Sequence, residues 1–415
     1  MYRSLRALGA LMAIGALGMT SCSSSTTSSP TSTAGGGTNA SNGSGPIVVG
    51  GVWSQGDYTG ADVGAQAAFN AFNAAGGLGG RKIKFIGMQE DGSSETQDVA
   101  AAKALVNAHV MAVVPVMTQA WVAGKVLQQA GIPYFGWGIS TSWWGSNNGF
   151  SYVGANPPSP SLEKNVVSTP GLFCRIISGG CAGKTVALVS INNAAAINTI
   201  DVSAAEWRTA GAKVVEQLTS IPSPPAVVSD FTPYIDQLLS SNNGKAPDII
   251  QQILPPTNDI AVISQLNHLG YKGHDFSYSL YDPRAASVAK GSNVLVTSAP
   301  WEEQSPAVQT MKQQVQALNP NVILGQPTEA GYWSAQLFIA ALKHAGPSVT
   351  SASLIKSLNS GFTFSIPGGT GPVTYPAAHM AGGGCQAIVS SDGSKYSVVL
   401  PLTCGTPIKN PLYKP

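Results

Sequence analysis

Charged side chains are scarce in this chain of 415 residues. Aspartate, glutamate, lysine and arginine make up 10% of it, and 22 basic against 20 acidic residues give a formal net charge of +2. No basic stripe favours nucleic acid, and no acidic block suggests a charged tail. The composition therefore excludes nucleic acid as a partner and favours a protein with a large apolar core.

Histidine is also rare, and the common catalytic signatures are missing. The five histidines show no metal-ligand spacing, and no Gly-x-Ser-x-Gly motif of a hydrolase is present. Gly183-Lys184-Thr185 looks like the end of a phosphate-binding loop. However, Ser178 occupies the position of the first glycine, and the motif leads into a strand instead of a helix. The chain is therefore expected not to be an enzyme, and to hold neither a cofactor nor a metal.

Long apolar segments are absent after the first twenty residues. Arg3 and Arg6 precede an apolar run at residues 7–19, a pattern typical of an export signal and too short for a comfortable membrane span. Residues 1–21 are thus predicted to be a signal peptide. Met19-Thr20-Ser21-Cys22 resembles a bacterial lipobox, which implies that Cys22 carries lipid. The alternative is an ordinary cleaved signal with an incidental cysteine.

The segment that follows Cys22 is composed almost entirely of Ser, Thr, Gly, Asn and Ala. Residues 22–45 are therefore predicted to be the lipidated cysteine and a flexible tether. Signal, lipid and tether together describe an extracytoplasmic protein that the lipid on Cys22 anchors to the cell membrane.

Only five cysteines occur, and four remain if Cys22 carries lipid. An even number in an exported chain favours disulfides. Three pairings are possible, and the two local ones, Cys174–Cys181 and Cys385–Cys404, are preferred because each closes a short loop. Zinc ligation is the alternative, but no CxxC spacing supports it. Neither bond is expected to touch a ligand site.

Short apolar runs alternate with helical patterns through the rest of the chain. The first series includes a strand at residues 47–52 and helices at residues 62–75 and 120–130, and a second series begins near residue 159. This repetition predicts an α/β fold with two similar doubly wound lobes and mainly parallel sheets. The predicted boundaries place residues 46–158 and 297–366 in lobe 1 and residues 159–296 and 367–415 in lobe 2.

One segment carries a resemblance to a known family. Asn73-Ala74-Ala75-Gly76-Gly77-Leu78-Gly79-Gly80-Arg81-Lys82-Ile83, together with residues 50–58 and Gly131-Ile132-Pro133-Tyr134, is similar to the type I periplasmic binding proteins. The similarity is strongest to the branched-chain amino acid (Leu/Ile/Val) binding lipoproteins of ABC transporters. It implies two lobes joined by a three-crossing hinge, with a small solute held between them.

Solute contacts are expected where strands end, since ligands of open parallel sheets bind outside the carboxyl ends of the strands. The predicted contacts are Ser54, Asp57, Tyr58, Thr118, Gln119, Gly138, Ser140, Asn193, Gln252, Tyr281 and Asp282. Five tryptophans also fall near strand ends and would suit a flat or apolar solute: Trp53, Trp121, Trp137, Trp143 and Trp144. Helix capping and core packing are the structural alternatives for these side chains.

The family resemblance assigns roles to several of these residues. Hydroxyl side chains that bind the ligand carboxylate in amino-acid-binding relatives correspond to Thr118 and Ser140. The second lobe departs from the family: Gln252 replaces an aromatic residue, and Asp282 lies one position from the acid that meets the ligand ammonium. Either Asp282 takes that role or Tyr281 closes an uncharged pocket.

The resemblance implies a monomer that delivers a small solute, such as an amino acid or a related organic molecule, to an ABC transporter permease. The alternative is a sensor of the same fold that reports solute to a membrane receptor or kinase.

Overall fold

The structure, a computed structural model, describes residues 45–155 and 164–413. In the first stretch, helices alternate with strands that form one parallel sheet in the order β2-β1-β3-β4-β5. The elements are β1 (Ile47–Trp53), α1 (Gln55–Tyr58), α2 (Ala61–Ala74), β2 (Ile83–Glu90), α3 (Glu95–Asn107), β3 (Ala112–Met117), α4 (Gly124–Gln129), β4 (Tyr134–Gly136) and β5 (Gly149–Ser151). Every residue of β3 is buried, as expected for the central strand of a parallel sheet covered on both faces.

The second stretch repeats this alternation. Its elements are β6 (Asn165–Val167), α5 (Thr169–Ile176), β7 (Thr185–Ile191), α6 (Ala194–Thr209), β8 (Lys213–Ile221), α7 (Thr232–Ser240), β9 (Ile249–Ile253), α8 (Pro256–His268), β10 (His274–Ser277) and β11 (Asn293–Val296). Strands β8-β7-β9-β10-β11 are mutually parallel and have the same order as the strands of the first sheet.

The last part of the chain adds three helices and five strands, and two of these strands extend the second sheet. It comprises α9 (Pro306–Leu318), α10 (Gln326–Ala345), α11 (Ser351–Leu358), β12 (Thr363–Ile366), β13 (Thr370–Thr374), β14 (Cys385–Ser391), β15 (Tyr396–Cys404) and β16 (Pro407–Lys409). Antiparallel β14 and β15 extend the second sheet beyond β11, while β16 pairs with β6. The predicted α/β fold with two similar, mainly parallel lobes is confirmed.

The chain passes between the two lobes three times: after β5, after β11 at Thr297, and at residues 381–384 before β14. Hairpin β12–β13 lies beside both lobes. It is followed by Tyr375, whose hydroxyl donates a hydrogen bond to the carbonyl of Ser151 in lobe 1 (2.7 Å), while Gly371 lies next to Cys385 of β14. The boundary at residue 366 stays a prediction.

Helix α10 is the central packing element of lobe 1. Fourteen of its twenty residues are buried, and it lies against α2. At Gly331 an added Cβ would come within 2.0 Å of the carbonyl oxygen of Ala61, so only glycine permits this close helix contact.

One helix begins later than predicted, and three short helices, α1, α5 and α11, were not predicted. The amide groups of Val122 and Ala123 donate hydrogen bonds to the buried carboxylate of Asp98 (2.7 and 2.9 Å). This contact holds the start of residues 120–130 outside the helix, so α4 begins at Gly124. Helices α5 and α11 have eight residues each, which is too short to give a strong periodic pattern.

Both predicted disulfides, Cys174–Cys181 and Cys385–Cys404, are present, and the second joins paired residues of β14 and β15. Cys22, with the signal and most of the tether, lies outside the described residues. Among the helices of residues 45–155 and 164–413, none is both long and apolar enough to cross a membrane.

Candidate functional site

A cavity of about 530 Å³ lies between the two lobes. Its volume falls within the range of roughly 300–1,000 Å³ that is typical of small-molecule sites. Much of its wall is apolar or aromatic: Trp137, Ile139, Tyr152, Val153, Val166, Val167, Val202, Ile253, Leu254 and Leu295. Polar side chains from both lobes, among them Asp57, Gln119, Asn193 and Glu206, interrupt this apolar surface and would orient a solute.

Lobe 1 contributes four of the predicted contact residues to this wall: Asp57, Tyr58, Gln119 and Gly138. The Tyr58 ring packs edge-on against Trp137, with ring centroids 6.2 Å apart. Burial raises the pKa of the Asp57 carboxyl, which lies 3.5 Å from the Thr257 hydroxyl of lobe 2. This hydroxyl donates the hydrogen bond, so Asp57 also links the two lobes.

Lobe 2 contributes Asn193, the fifth predicted contact residue in the wall. Its side chain accepts a hydrogen bond from the amide of Ala196 (2.7 Å) and thereby caps α6. Capping and cavity lining thus occur in the same residue.

Helix α6 presents a whole face to the cavity that the sequence analysis missed. The lining residues Thr199, Val202, Ser203 and Glu206 recur at helical spacing. A neighbouring face of α6 carries Ile200, Ala204 and Trp207, which are buried in the lobe 2 core. In the sequence, the cavity-lining residues of α6 repeat at helical spacing beside the residues that pack in the core. This second set with helical spacing is the signal that could have revealed them.

Three other lining residues were also missed: Tyr152, Tyr278 and Gln386. The hydroxyl of Tyr278 accepts a hydrogen bond from the amide of Gln251 (2.9 Å). The Gln386 amide donates to the hydroxyl of Thr169 (2.9 Å), while its own Oε1 is buried without a partner. These residues lie on elements whose spatial neighbours are far away in sequence, so no local pattern marks them.

Thr118 and Ser140 do not line the cavity. Both are buried within lobe 1, and their hydroxyls have partners there. Ser54 donates to the Asp91 carboxylate (2.6 Å), its oxygen lies 3.0 Å from the Thr118 hydroxyl, and Ser140 donates to the carbonyl of Trp121 (3.0 Å). Ser54 is likewise absent from the wall, so these three predicted contacts form part of lobe 1's internal hydrogen bonding.

The other three predicted contacts of lobe 2 also lie away from the cavity. Gln252 is buried and donates its amide hydrogen to Asp275. Tyr281 is buried with its hydroxyl on Glu302 (2.5 Å), so it closes no pocket here. Asp282 forms an ion pair with Arg284 (2.6 Å) and accepts from its backbone amide. Its carboxylate is therefore already compensated.

Two further expectations are corrected by the cavity wall. Of the five tryptophans only Trp137 lines it, whereas Trp53, Trp121 and Trp143 are buried in the packing of lobe 1 and Trp144 packs against the same lobe. Cys385 lines the cavity, so the Cys385–Cys404 disulfide borders this candidate site, which differs from the expectation that neither disulfide would do so. The reason is that β14 follows directly on the third passage between the lobes.

The cavity is acidic. Among the residues that line it in the described parts of the chain, Asp57 and Glu206 carry carboxylates, and no lysine, arginine or histidine is present. No group of three or more His, Cys, Asp or Glu side chains in residues 45–155 and 164–413 is arranged to hold a metal ion.

Backbone atoms form one side of the cavity, where the first and third passages meet. Gly154 pairs with Gly382 in an isolated bridge. Gly154 has φ +72°, and a Cβ there would lie 2.2 Å from the carbonyl oxygen of Ala381. Two passages can therefore touch main chain to main chain only because this position is glycine.

A family model described as periplasmic binding protein matches residues 53–395. The chain belongs to the periplasmic binding protein family. This match, the two-lobe fold and the central cavity confirm the resemblance to type I members, a class that binds solutes and does not catalyse reactions. No match was found among curated protein sequences.

Solved structures of this family share the fold at low sequence identity. LivJ, the branched-chain amino acid transporter substrate binding protein from Streptococcus pneumoniae, solved with isoleucine, is 18% identical, with a TM-score of 0.63 over 86% of this chain and 100% of that one. A solute binding protein from R. palustris, solved with benzoate, is 16% identical, with a TM-score of 0.67 over 86% and 98%. A fatty acid ABC transporter protein from Thermomonospora curvata is 17% identical, with a TM-score of 0.69 over 86% and 92%.

Proposed function

We propose that this protein is an extracytoplasmic solute-binding lipoprotein that captures a small organic solute between its lobes and delivers it to an ABC transporter permease. The observation that carries this proposal is the cavity of about 530 Å³ whose wall both lobes build. The similar structures solved with benzoate and isoleucine, each with a TM-score above 0.6, support a small organic solute as the ligand.

Binding would stabilise the closed arrangement of the lobes. A solute in this cavity touches Asp57, Tyr58 and Gln119 of lobe 1 and Asn193 of lobe 2 at once. It therefore binds the closed form more tightly than an open one, and it shifts the population towards closure. Gly138 belongs to the same wall, although its amide already donates to the Ser151 hydroxyl (2.9 Å).

The place of action follows from the N-terminal segment. A signal peptide would direct export of the protein. The lipid on Cys22 and the flexible tether would then hold the two lobes, as a monomer, close to a permease in the membrane. One acyl chain anchors a protein only marginally, so we expect Cys22 to carry more than one.

A thermal-shift screen of the purified protein against amines, amino acids, amides, sugars and aromatic acids tests the proposal. A solute at 100 times its dissociation constant should add about 2.7 kcal/mol to the free energy of unfolding. Small-angle scattering should then show a more compact particle. The proposal is overturned if no small solute stabilises the protein, or if solutes that stabilise it also bind a variant whose cavity is blocked by Val202→Trp.

A further inference from the structure

Glu206 places a carboxyl group in the cavity wall without a basic partner. It lies in the last turn of α6, and only 4% of its surface is exposed. Its Oε2 accepts a hydrogen bond from the backbone amide of Thr169 on α5 (3.2 Å), and the Ser168 hydroxyl is a second neighbour. Tyr278, after β10, is the titratable group that faces it.

This carboxylate is in an unfavourable environment in the absence of a solute. Removing a charge from water is costly unless an opposite charge compensates it. No lysine, arginine or histidine lines the cavity in the described parts of the chain, so the wall offers Glu206 no cation. The carbonyl end of α6 adds negative potential beside it. Burial accordingly raises the pKa of Glu206 to about 8.

The groups around Glu206 are suited to hydrogen-bond donors. The Gln386 side chain has a buried Oε1 that accepts from no group in the structure. Ser203 and Tyr278 also line the wall, and their hydroxyl oxygens accept from the Gln251 amide (3.2 and 2.9 Å). The Glu206 carboxyl and the Gln386 Oε1, which are linked through Thr169, match a nitrogen with several N–H groups, while Val167, Val202 and Leu295 offer apolar contact to the rest of a solute.

Asp57 is less suited to select a charged solute. It is only partly buried, and the Thr257 hydroxyl already donates to it. Glu206 lies deeper, where a charge–charge contact is less screened by water.

We propose that the solute is an organic amine cation, whose N–H groups bind Glu206 while its apolar body packs against Val202 and Leu295. This inference rests on the proposed function, since it names the class of solute for the same cavity. In this proposal Glu206 is the residue that makes the cavity select a positively charged solute.

Two pairs of compounds with matched bodies and opposite charges test the proposal. Benzylamine with benzoate, and isopentylamine with isovalerate, are titrated calorimetrically into the purified full-length protein at about pH 8.5, above the pKa of about 8 of Glu206. At least one amine should bind, and its carboxylate counterpart should bind at least about tenfold more weakly because it meets an acidic wall. Failure of both amines to bind, or tighter binding of either carboxylate than its amine, overturns the inference.

The variant Glu206→Gln keeps the size of the side chain and removes its charge. The affinity for the amine should fall by about tenfold to a hundredfold, the range for loss of a charged hydrogen-bond partner. Asp201→Asn removes one charge from the exposed face of the same helix and should change the affinity less than about twofold. Equal amine affinity of wild type and Glu206→Gln overturns the proposed role.

Failure of this inference is distinguishable from failure of the proposed function. If carboxylates bind and amines do not, the protein still captures a small solute, but not one selected by Glu206. If no compound of the broader screen stabilises the protein, the proposed function fails and the amine inference fails with it.

Discussion

The phenol oxygen of Tyr152 lies 3.2 Å from the hydroxyl oxygen of Thr297, so the first and second passages between the lobes are joined by a hydrogen bond. Tyr152 is buried, and burial raises the pKa of its hydroxyl far above neutrality, so the group stays protonated and able to donate. Both residues also line the cavity. The contact therefore couples the connection between the lobes to the site itself.

Tyr152→Phe and Thr297→Val test that coupling. Each substitution should lower the free energy of unfolding by about 1 kcal/mol, since each removes one buried hydrogen-bonding group. The double variant should lose less than the sum, by about 0.5 kcal/mol or more, because the two groups share one bond. Urea unfolding of the four proteins measures the cycle, and strictly additive losses would show that the contact contributes nothing.

The variants Thr118→Ala and Ser140→Ala distinguish the solute site expected from the sequence from the cavity found in the structure. If these hydroxyls bound the solute carboxylate, the double variant would lose about one to three decades of affinity. Because they are occupied within lobe 1, we expect instead a loss of about 1–3 kcal/mol in stability and less than about a threefold change in affinity. Calorimetric titration with a solute from the screen, paired with urea unfolding, decides between the two.

Glu206 should give the stability of the unliganded protein a distinct pH dependence. Its pKa is about 8 in the folded chain against 4.5 for an unhindered glutamate, because burial disfavours the charged form. Between these values the unfolded chain has released the proton that the folded chain still holds. Rising pH therefore costs the wild type up to about 1.4 kcal/mol per pH unit from this group.

The variant Glu206→Gln has no carboxyl group at this position, so it does not lose stability in this way as the pH rises. The difference in free energy of unfolding, variant minus wild type, should therefore increase steadily from about pH 4.5 to about pH 8 and then level off. Thermal unfolding over this range, with Asp201→Asn as the charge-matched control, provides the measurement. A constant difference between Glu206→Gln and wild type would contradict a buried, protonated Glu206.

The two disulfides should differ in their effect on solute binding. Replacing either pair by alanine should cost about 2–3 kcal/mol by loop closure, for sequence separations of 7 and 19. Only loss of Cys385–Cys404 should also weaken binding, because Cys385 and the neighbouring Gln386 belong to the cavity wall. Titration of both alanine pairs against wild type measures this, and equal affinities would argue that the wall keeps its shape without the bond.

Cys22→Ala should release the protein from membranes if Cys22 carries the lipid that the lipobox-like motif predicts. Fractionation of cells that express each form provides the readout. Ser23→Ala, at the neighbouring position, is the control that should remain with the membrane. A membrane-bound pool of Cys22→Ala as large as that of wild type would refute lipidation at this site.

The sequence predicted the two-lobe fold because the alternation of buried strands and helices is strong in both halves. It also predicted that Asp57, Tyr58, Gln119, Gly138 and Asn193 lie at one edge of the sheets, and the structure brings them together around the cavity. The rule that ligands bind beyond strand ends gives the region, but not which side chains face the solute. Thr118 satisfies that rule, yet its hydroxyl is hydrogen-bonded to the Ser54 hydroxyl, and that contact joins residues 64 positions apart.

Glu206 is a residue of the cavity wall that the strand-end rule misses altogether. It lies at the end of a helix, far from the first turn where the strand-end rule searches, and it reaches the cavity because α6 runs along it. Its significance depends on the absence of a nearby cation, which is a property of the assembled wall. No window of sequence contains that information.

The contact of Gly154 with Gly382 has a consequence for how this protein can change in evolution. Along that side the cavity wall includes Gly382, Gly383 and Gly384, which offer main chain and no side chain to the cavity. A side chain at Gly154 would push the two passages apart, so substitution there would disturb the connection between the lobes before it altered the chemistry of the wall. Under the proposed function, changes of solute preference are therefore expected at the side chains of the rest of the wall, such as those of α6, and not at this main-chain side.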